Sequence, residues 1–424
     1  MRYRHGQHAA RATDEYVFHQ LLPYLGNKRH LLDLIAEAID ATGCDPRRSV
    51  FVDAFAGSGV VARFAKQRGF AVIANDWEPF ARVVNTAALI PGEAPPFARL
   101  GGYERAIATL NTLPGTDGWV ANTLCPADDD EADPTRERMF YRRANGRRID
   151  AIRERIAEWQ QSGACGDIEA CCLLAPLLYQ ACWLANTSGV FKGYHAGWGG
   201  RNGTALHRIL ADLELKPLRF LPSPREHRVL QTDAAALAAA LSRPVDIVYF
   251  DPPYNQHPYA SNYHVLNSLV QWDRPELPPP TTPGHKAGIR PDWRARRSAF
   301  NSRRNAATAL ARLLASFDAR HLLLSYSTDG LIPPAELIRI AAEHGSVSVY
   351  RRDYKRYRTS PTRPSPRPRN VEFVLHVARG KRRDPVAEKR VLRAITSAHQ
   401  RTANRKTPAS PVGGQAPREA RIPS

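Results

Sequence analysis

The sharpest chemical signal in the chain is Asp251-Pro252-Pro253-Tyr254, which directly follows the apolar run Val245–Phe250. Two consecutive prolines stiffen the backbone and remove two N–H donors. The turn is left with the Asp251 carboxylate and a bare carbonyl as acceptors on one side, and the Tyr254 ring beside them. Two acceptors and a stacking face suit the exocyclic amino group of a flat base. The plainer alternative is a proline turn that only caps a strand. The upstream residues weigh against it.

Those upstream residues are Ala56-Gly57-Ser58-Gly59. They join a short apolar stretch ending in Asp53 to an apolar-periodic helix over 60–67. A glycine loop in that place lets backbone N–H groups approach a ligand closely. The dinucleotide pattern GxGxxG is incomplete, no Walker lysine follows, and Asp53 would repel a phosphate. A ligand carrying an ammonium and a sulfonium fits better. Asp76 lies 17 residues after Gly59, at the end of a second strand, where a carboxylate accepts from ribose hydroxyls. Together these residues point to S-adenosylmethionine, although the glycine loop alone suits any Rossmann-like enzyme.

The elements needed to position these groups are legible in outline. Residues 29–40 have a helical apolar period stopped at Gly43, and strands are expected at 49–53, 70–74, 245–250 and 321–326. A helix follows near 334–344, and two further strands, 347–350 and 371–377, flank a basic segment. The fold class is therefore α/β, with a Rossmann-like sheet. Residues 91–225 lack strand–helix alternation. Their acidic loop (128–133), basic helix (135–160) and apolar stretch (171–185) suggest an inserted, mainly helical domain. The division expected is 1–90 for the cofactor-binding half, 91–225 for the insertion and 226–379 for the second half, with 380–424 as a basic disordered tail. Residues 274–305 read as a loop insertion.

Composition narrows the partners. The 424 residues carry 60 Lys plus Arg against 41 Asp plus Glu, a formal charge of +19 that favours polyanions. Twenty basic and five acidic residues lie in the last 74. Within them, Arg351, Arg352, Lys355, Arg356 and Arg358 interleave with tyrosines, a pattern suited to a phosphate backbone. No apolar run is long enough to span a membrane, and the N-terminus has no secretory pattern. Six cysteines without a CxxC pair read as core residues. No side-chain cluster suggests a metal, so none is expected, and a cytoplasmic, nucleoid-associated protein is.

In their order, Pro23-Tyr24-Leu25-Gly26-Asn27-Lys28, residues 51–59, Asn75-Asp76 and Asp251-Pro252-Pro253-Tyr254 resemble the alpha-group adenine-specific DNA methyltransferases, the DNA adenine methylase family. Residues 255–267 are similar to members serving restriction–modification systems, and 186–195 to the family's pre-catalytic region. The likeness covers about 21–90 and 170–377. It departs at Ala54, where proline is common, and at Asn27, where glycine or serine is frequent.

The resemblance implies a role for each matched residue. Tyr24 and Lys28 contact the cofactor, Asp53 holds its ammonium directly or through water, and Phe55, Gly57 and Gly59 shape the pocket. Asp76 takes the ribose hydroxyls. Asp233 bonds the cofactor's adenine, or else only caps the alanine-rich helix behind it. Asp251, Pro252, Pro253 and Tyr254 form the catalytic corner, with Asp251 also near the cofactor. The activity implied is N6-adenine methylation of double-stranded DNA by a monomer bacterial or phage-type enzyme, with a possible cognate restriction endonuclease. N4-cytosine methylation shares the amine chemistry. An RNA or protein amine methyltransferase and a DNA-binding module with a vestigial pocket are the remaining readings. The insertion is the candidate for target recognition.

Overall fold

The computed structural model describes residues 15–200, 203, 205–241, 243–355 and 369–404. Its centre is one seven-stranded sheet made of β1 (Val50–Asp53), β2 (Ala71–Asn75), β3 (Arg228–Leu230), β4 (Val245–Phe250), β5 (Ala319–Ser327), β6 (Ser346–Lys355) and β7 (Arg369–Ala378). The order is β3-β2-β1-β4-β5-β7-β6. Only β7 runs against its neighbours. Near-continuous apolar runs such as Val-Phe-Val and Ile-Val-Tyr-Phe form its inner strands because both sheet faces are covered.

The period of two along β1 sorts side chains between those faces. Phe51 enters a core with α1 (Leu32–Asp40) and α2 (Val60–Gln67), where Ile35, Val61, Val72 and Ile247 meet. Val52 points the other way, into the core described below with the C-terminal helices.

The insertion does not build a core of its own. Helix α3 (Pro79–Leu89), α4 (Tyr103–Thr112), α5 (Trp119–Leu124), α6 (Arg143–Gln161), α7 (Asp167–Trp183) and α8 (His264–Gln271) share one cluster. In α7, Leu173, Leu174, Leu177, Leu178 and Ala181 are all buried, so it is apolar nearly all round and must be sandwiched. It lies between α3 of the cofactor half and the rest of the insertion. Buried arginines then staple the insertion to the last turn of α8 and to the chain after it. Arg153 donates to the Leu269 and Val270 carbonyls (2.7 and 3.2 Å). Arg138 reaches the carbonyls of Thr123, Pro278, His285 and Lys286.

On the second face, α9 (Ala306–Ser316), α10 (Pro334–Ala342) and α11 (Pro385–Asn404) cover Val52, Val248, Leu322 and Leu375. Helix α11 corrects the expectation of a disordered tail from residue 380. Its charges hide a buried stripe of Val391, Ile395 and Ala398, a helical repeat that docks on the β6–β7 edge. The rest of that tail, residues 405–424, lies outside the described residues. The basic helix of the insertion begins at Arg143 rather than 135, because Glu137 accepts from the Ala127 and Asp133 amides and ties 126–137 into a loop. No described helix is long and apolar enough to cross a membrane.

Candidate active site

A cavity of about 800 Å3, measured out to its mouth, opens at the carboxyl ends of β1, β2 and β4. The strand order reverses between β1 and β4, which is where α/β sheets leave a crevice for a ligand. Asn75, which ends β2, laces the adjoining loops together. Its side-chain amide donates to the Ala54 and Thr232 carbonyls (3.2 and 3.1 Å) and accepts from the Thr232 N–H (3.1 Å).

The wall brings together Tyr24, Lys28, Phe55, Asp76, Asp233 and the whole Asp251–Tyr254 corner. Tyr254 is half-buried there, edge-on to Tyr326 at 5.6 Å. Lys28 is 3% exposed and pairs with Asp251 Oδ1 at 2.9 Å while donating to the Gly26 carbonyl at 3.2 Å. Burial alone would lower the pKa of this ammonium. Asp251, Tyr254 and Glu372 outweigh it and hold its pKa well above the usual value. Burial also raises Asp251, with Lys28 opposing. The carboxylate therefore keeps a stronger hold on a shared proton than an exposed aspartate does.

Lys28 owes its place to an aromatic column. Tyr24 stacks on Tyr259 and on Tyr263, each at 5.0 Å. The Tyr259 hydroxyl donates to the Leu25 carbonyl (3.0 Å), and the Tyr263 hydroxyl accepts from the Leu25 N–H (2.7 Å). Residues 259–263 thereby fix the loop that carries Lys28.

Three anticipated groups stand behind the wall rather than on it. Asp53 is 1% exposed and bonds the backbone amides of Phe55 and Ala62. It satisfies the start of α2, which Gly59 cannot cap with a side chain. Its Oδ1 has no hydrogen-bond partner, and burial, with Asp251 adding to it, raises its pKa well up. Gly57 donates its N–H to Asp76 Oδ2 (2.8 Å). Gly59 sits at φ +81°, where a Cβ would meet Asn85 Oδ1 at 2.6 Å. The two glycines shape the loop without lining the cavity. Asp76 spends its other oxygen on the Glu78 N–H (2.9 Å). Asp233 both lines the cavity and accepts from the Ala235 N–H (2.8 Å), so its two readings are compatible.

The structure adds a wall that sequence reading missed. Arg296, Ser298, Phe300 and Asn301, from the segment read as a loop insertion, close one side of the cavity. Arg296 donates to the Trp77 carbonyl (2.9 Å) and faces Glu78 at 3.5 Å. Phe300 meets Phe55 edge-on at 5.6 Å, and Asn301 donates to the Asn255 carbonyl (2.8 Å) just past the proline corner. Burial pushes Glu78 up to about 7, against Arg296 and the bond from Asn267. A basic, proline-broken segment carries no periodicity to mark it as a wall. The basic strand patch divides: Arg352 is engaged by Glu37, Arg351 is half-buried, and the Lys355 side chain, Arg356 and Arg358 lie outside what is described.

Five carboxylates in and behind the wall (Asp53, Asp76, Glu78, Asp233 and Asp251) face two cations, Lys28 and Arg296. Such a site rejects a phosphate ligand and suits a cationic one. The donor set thus fits S-adenosylmethionine, with its sulfonium and ammonium.

Sheet order and crevice together define the Rossmann-like methyltransferase fold. Within that class the chain belongs to the D12 class N6 adenine-specific DNA methyltransferase family, whose model matches residues 24–279. It is 30% identical to Type II methyltransferase M.NlaIII of Neisseria lactamica, over 84% of this chain and 98% of that protein. It is 28% identical to Modification methylase StsI of Streptococcus sanguinis, over 79% of this chain but 49% of that protein. For Modification methylase LlaI of Lactococcus lactis subsp. lactis the identity is 30%, over 80% and 51%. The chain thus spans nearly all of the first relative and about half of the two others. No solved structure matches it significantly.

Proposed function

We propose that this chain methylates the N6 amino group of adenine within a specific site in double-stranded DNA, as the modification partner of a restriction system. The observation that supports this most is the proline corner on the cavity wall, with Asp251 held by Lys28 and Tyr254 open to a planar ligand. Tyr24, Phe55, Asp76 and Asp233 would hold S-adenosylmethionine, whose sulfonium supplies an electrophilic methyl group. Asp53, set behind the wall, would act on its ammonium through water. A base inside a duplex cannot enter this cavity, so it must be flipped out at a cost of a few kcal/mol. Stacking on Tyr254 offsets about 1–3 kcal/mol of that. Asp251 and the Pro252 carbonyl accept the two N–H bonds of the amine. Its lone pair would thereby be drawn out of the ring system; the nitrogen would gain the methyl as the methyl–sulfur bond breaks and a neutral thioether is left, and the amine's surplus proton would pass to Asp251 or to solvent. The charge that develops meets a carboxylate in a water-poor site, where it counts most. With label in the methyl group of the cofactor, counts are expected in duplex DNA and not in RNA or protein; the reverse distribution overturns the reading.

The DNA would approach across a rim of arginines on the same segment that walls the cavity. Arg294, Arg297, Arg303 and Arg304 are exposed, and none has a carboxylate partner among the described residues. The β6 patch at Arg351 and Arg352 would be an outlying contact, with the helical insertion reading the sequence. Changing all four rim arginines to Gln should flatten the slope of log affinity against log salt by about 3–4, some 0.9 for each lost phosphate contact. Cofactor binding should be untouched. An unchanged slope removes the rim from the interface.

A further inference from the structure

The family match ends at residue 279, and the segment 290–301 that closes one side of the cavity lies beyond it. It is pinned at both ends. Arg290, itself buried, forks onto both Asp273 oxygens (2.7 Å each) and reaches Ser268 Oγ (3.2 Å). At the other end Asn301 holds the Asn255 carbonyl, and Phe300 stands edge-on to Phe55. Between these anchors Arg296 turns inward to the cavity wall, while its neighbours Arg294 and Arg297 stay exposed. Arg296 Nη2 donates to the Trp77 carbonyl (2.9 Å) and faces Glu78 Oε2 at 3.5 Å.

The turn that Arg296 touches is the one that carries Asp76. Glu78 gives its N–H to Asp76 Oδ1 and Gly57 gives its own to Oδ2, so whatever holds this turn aims the carboxylate. From the other side, Asn267 of α8 donates to Glu78 Oε2 at 2.6 Å. That bond is closed. The contact with Arg296 is longer than the ~2.7–2.9 Å of a closed charge-assisted bond. Arg294, Arg296 and Arg297 are like charges close in sequence, and the outer two have no carboxylate partner among the described residues. Phosphates over Arg294 and Arg297 would relieve their mutual repulsion and press the segment onto the turn. Resting on the function proposed above, we propose that Arg296 is a positioning residue that couples DNA to cofactor. Phosphates on the outer arginines fasten it to the Trp77–Glu78 turn, and Asp76 then holds the cofactor more tightly. Arg296 acts through that turn and not on the reacting atoms.

The test is calorimetric titration of S-adenosylhomocysteine into the full-length chain, alone and with a saturating random-sequence duplex. Phosphate contacts carry no sequence information, so the recognition site need not be known. In wild type the duplex should tighten the Kd about 5- to 50-fold, and S-adenosylhomocysteine should tighten duplex binding by the same factor. Arg296→Met should bring that factor to within about twofold of unity, with duplex affinity in the absence of cofactor kept within about threefold. Arg294→Gln combined with Arg297→Gln should shrink the factor as well, through the DNA-bound affinity alone. Arg296→Lys, which keeps the charge, should retain part of the factor, and it carries the test if Arg296→Met does not fold. A merely structural role would weaken S-adenosylhomocysteine equally with and without DNA and leave the factor unchanged. That result, or a wild-type factor of one, overturns the proposal while leaving the enzyme's function intact. A wild-type chain that fails to bind the duplex or S-adenosylhomocysteine overturns the function itself.

Discussion

Asp251→Asn is expected to abolish methyl transfer, lowering the single-turnover rate at least ~10^3-fold while the protein remains folded. The amide keeps one acceptor but turns a second acceptor into a donor aimed at the amine, and it removes the carboxylate charge of the corner that answers the charge developing on nitrogen. Losing one well-placed electrostatic partner in a dry site costs about 10^2–10^3 in rate. Loss of the second amine contact comes on top. Asp76 and Tyr24 are untouched, so binding of S-adenosylhomocysteine by calorimetry should survive within about tenfold. A variant that retains a tenth of the wild-type rate would show that another group holds the amine.

Lys28→Met has the second largest effect, and it acts on stability and pH together. The methionine fills similar volume without charge, leaving Asp251 without its cation. Removing one partner of a buried pair costs about 3–5 kcal/mol, readable in a urea titration. Lys28 holds the Asp251 proton affinity down against burial, so its removal raises that affinity further. The acid limb of the rate profile should then move to higher pH. Stability should recover toward acid, where protonated carboxyls no longer need a cation. A variant as stable as wild type, with its limb unmoved, would mean that Lys28 is only a helix-start lysine.

The groups legible in the sequence were those whose chemistry depends on local order. Gly57 and Gly59 are tied to a strand–turn–helix, and Pro252 and Pro253 to a rigid corner, so spacing alone located the two halves of the crevice. Groups brought in by tertiary packing were not legible. Arg296, Phe300 and Asn301 sit in a segment without periodicity, and their role comes from its being strapped back over β2 and the corner. Glu372 occupies a core position in an otherwise apolar strand, Val-Glu-Phe-Val-Leu. An isolated acid there was itself a signal, and what it bonds, the Asn370 amide that also reaches Ser327, is set by the pairing of two strands. Strand β3 has three residues, the first exposed and the others half-buried, so no alternation announces it. Helix α11 was obscured by its charge, which masks the stripe at Val391, Ile395 and Ala398.

The central claim is that the corner at Asp251 presents acceptors to the amine of a flipped adenine. Duplex DNA treated with the full-length chain and S-adenosylmethionine, then digested to nucleosides and separated by mass, addresses it most directly. N6-methyladenosine as the deoxynucleoside, absent with Asp251→Asn, is the result expected. N4-methylcytosine in its place, or N6-methyladenine undiminished by Asp251→Asn, would contradict the account.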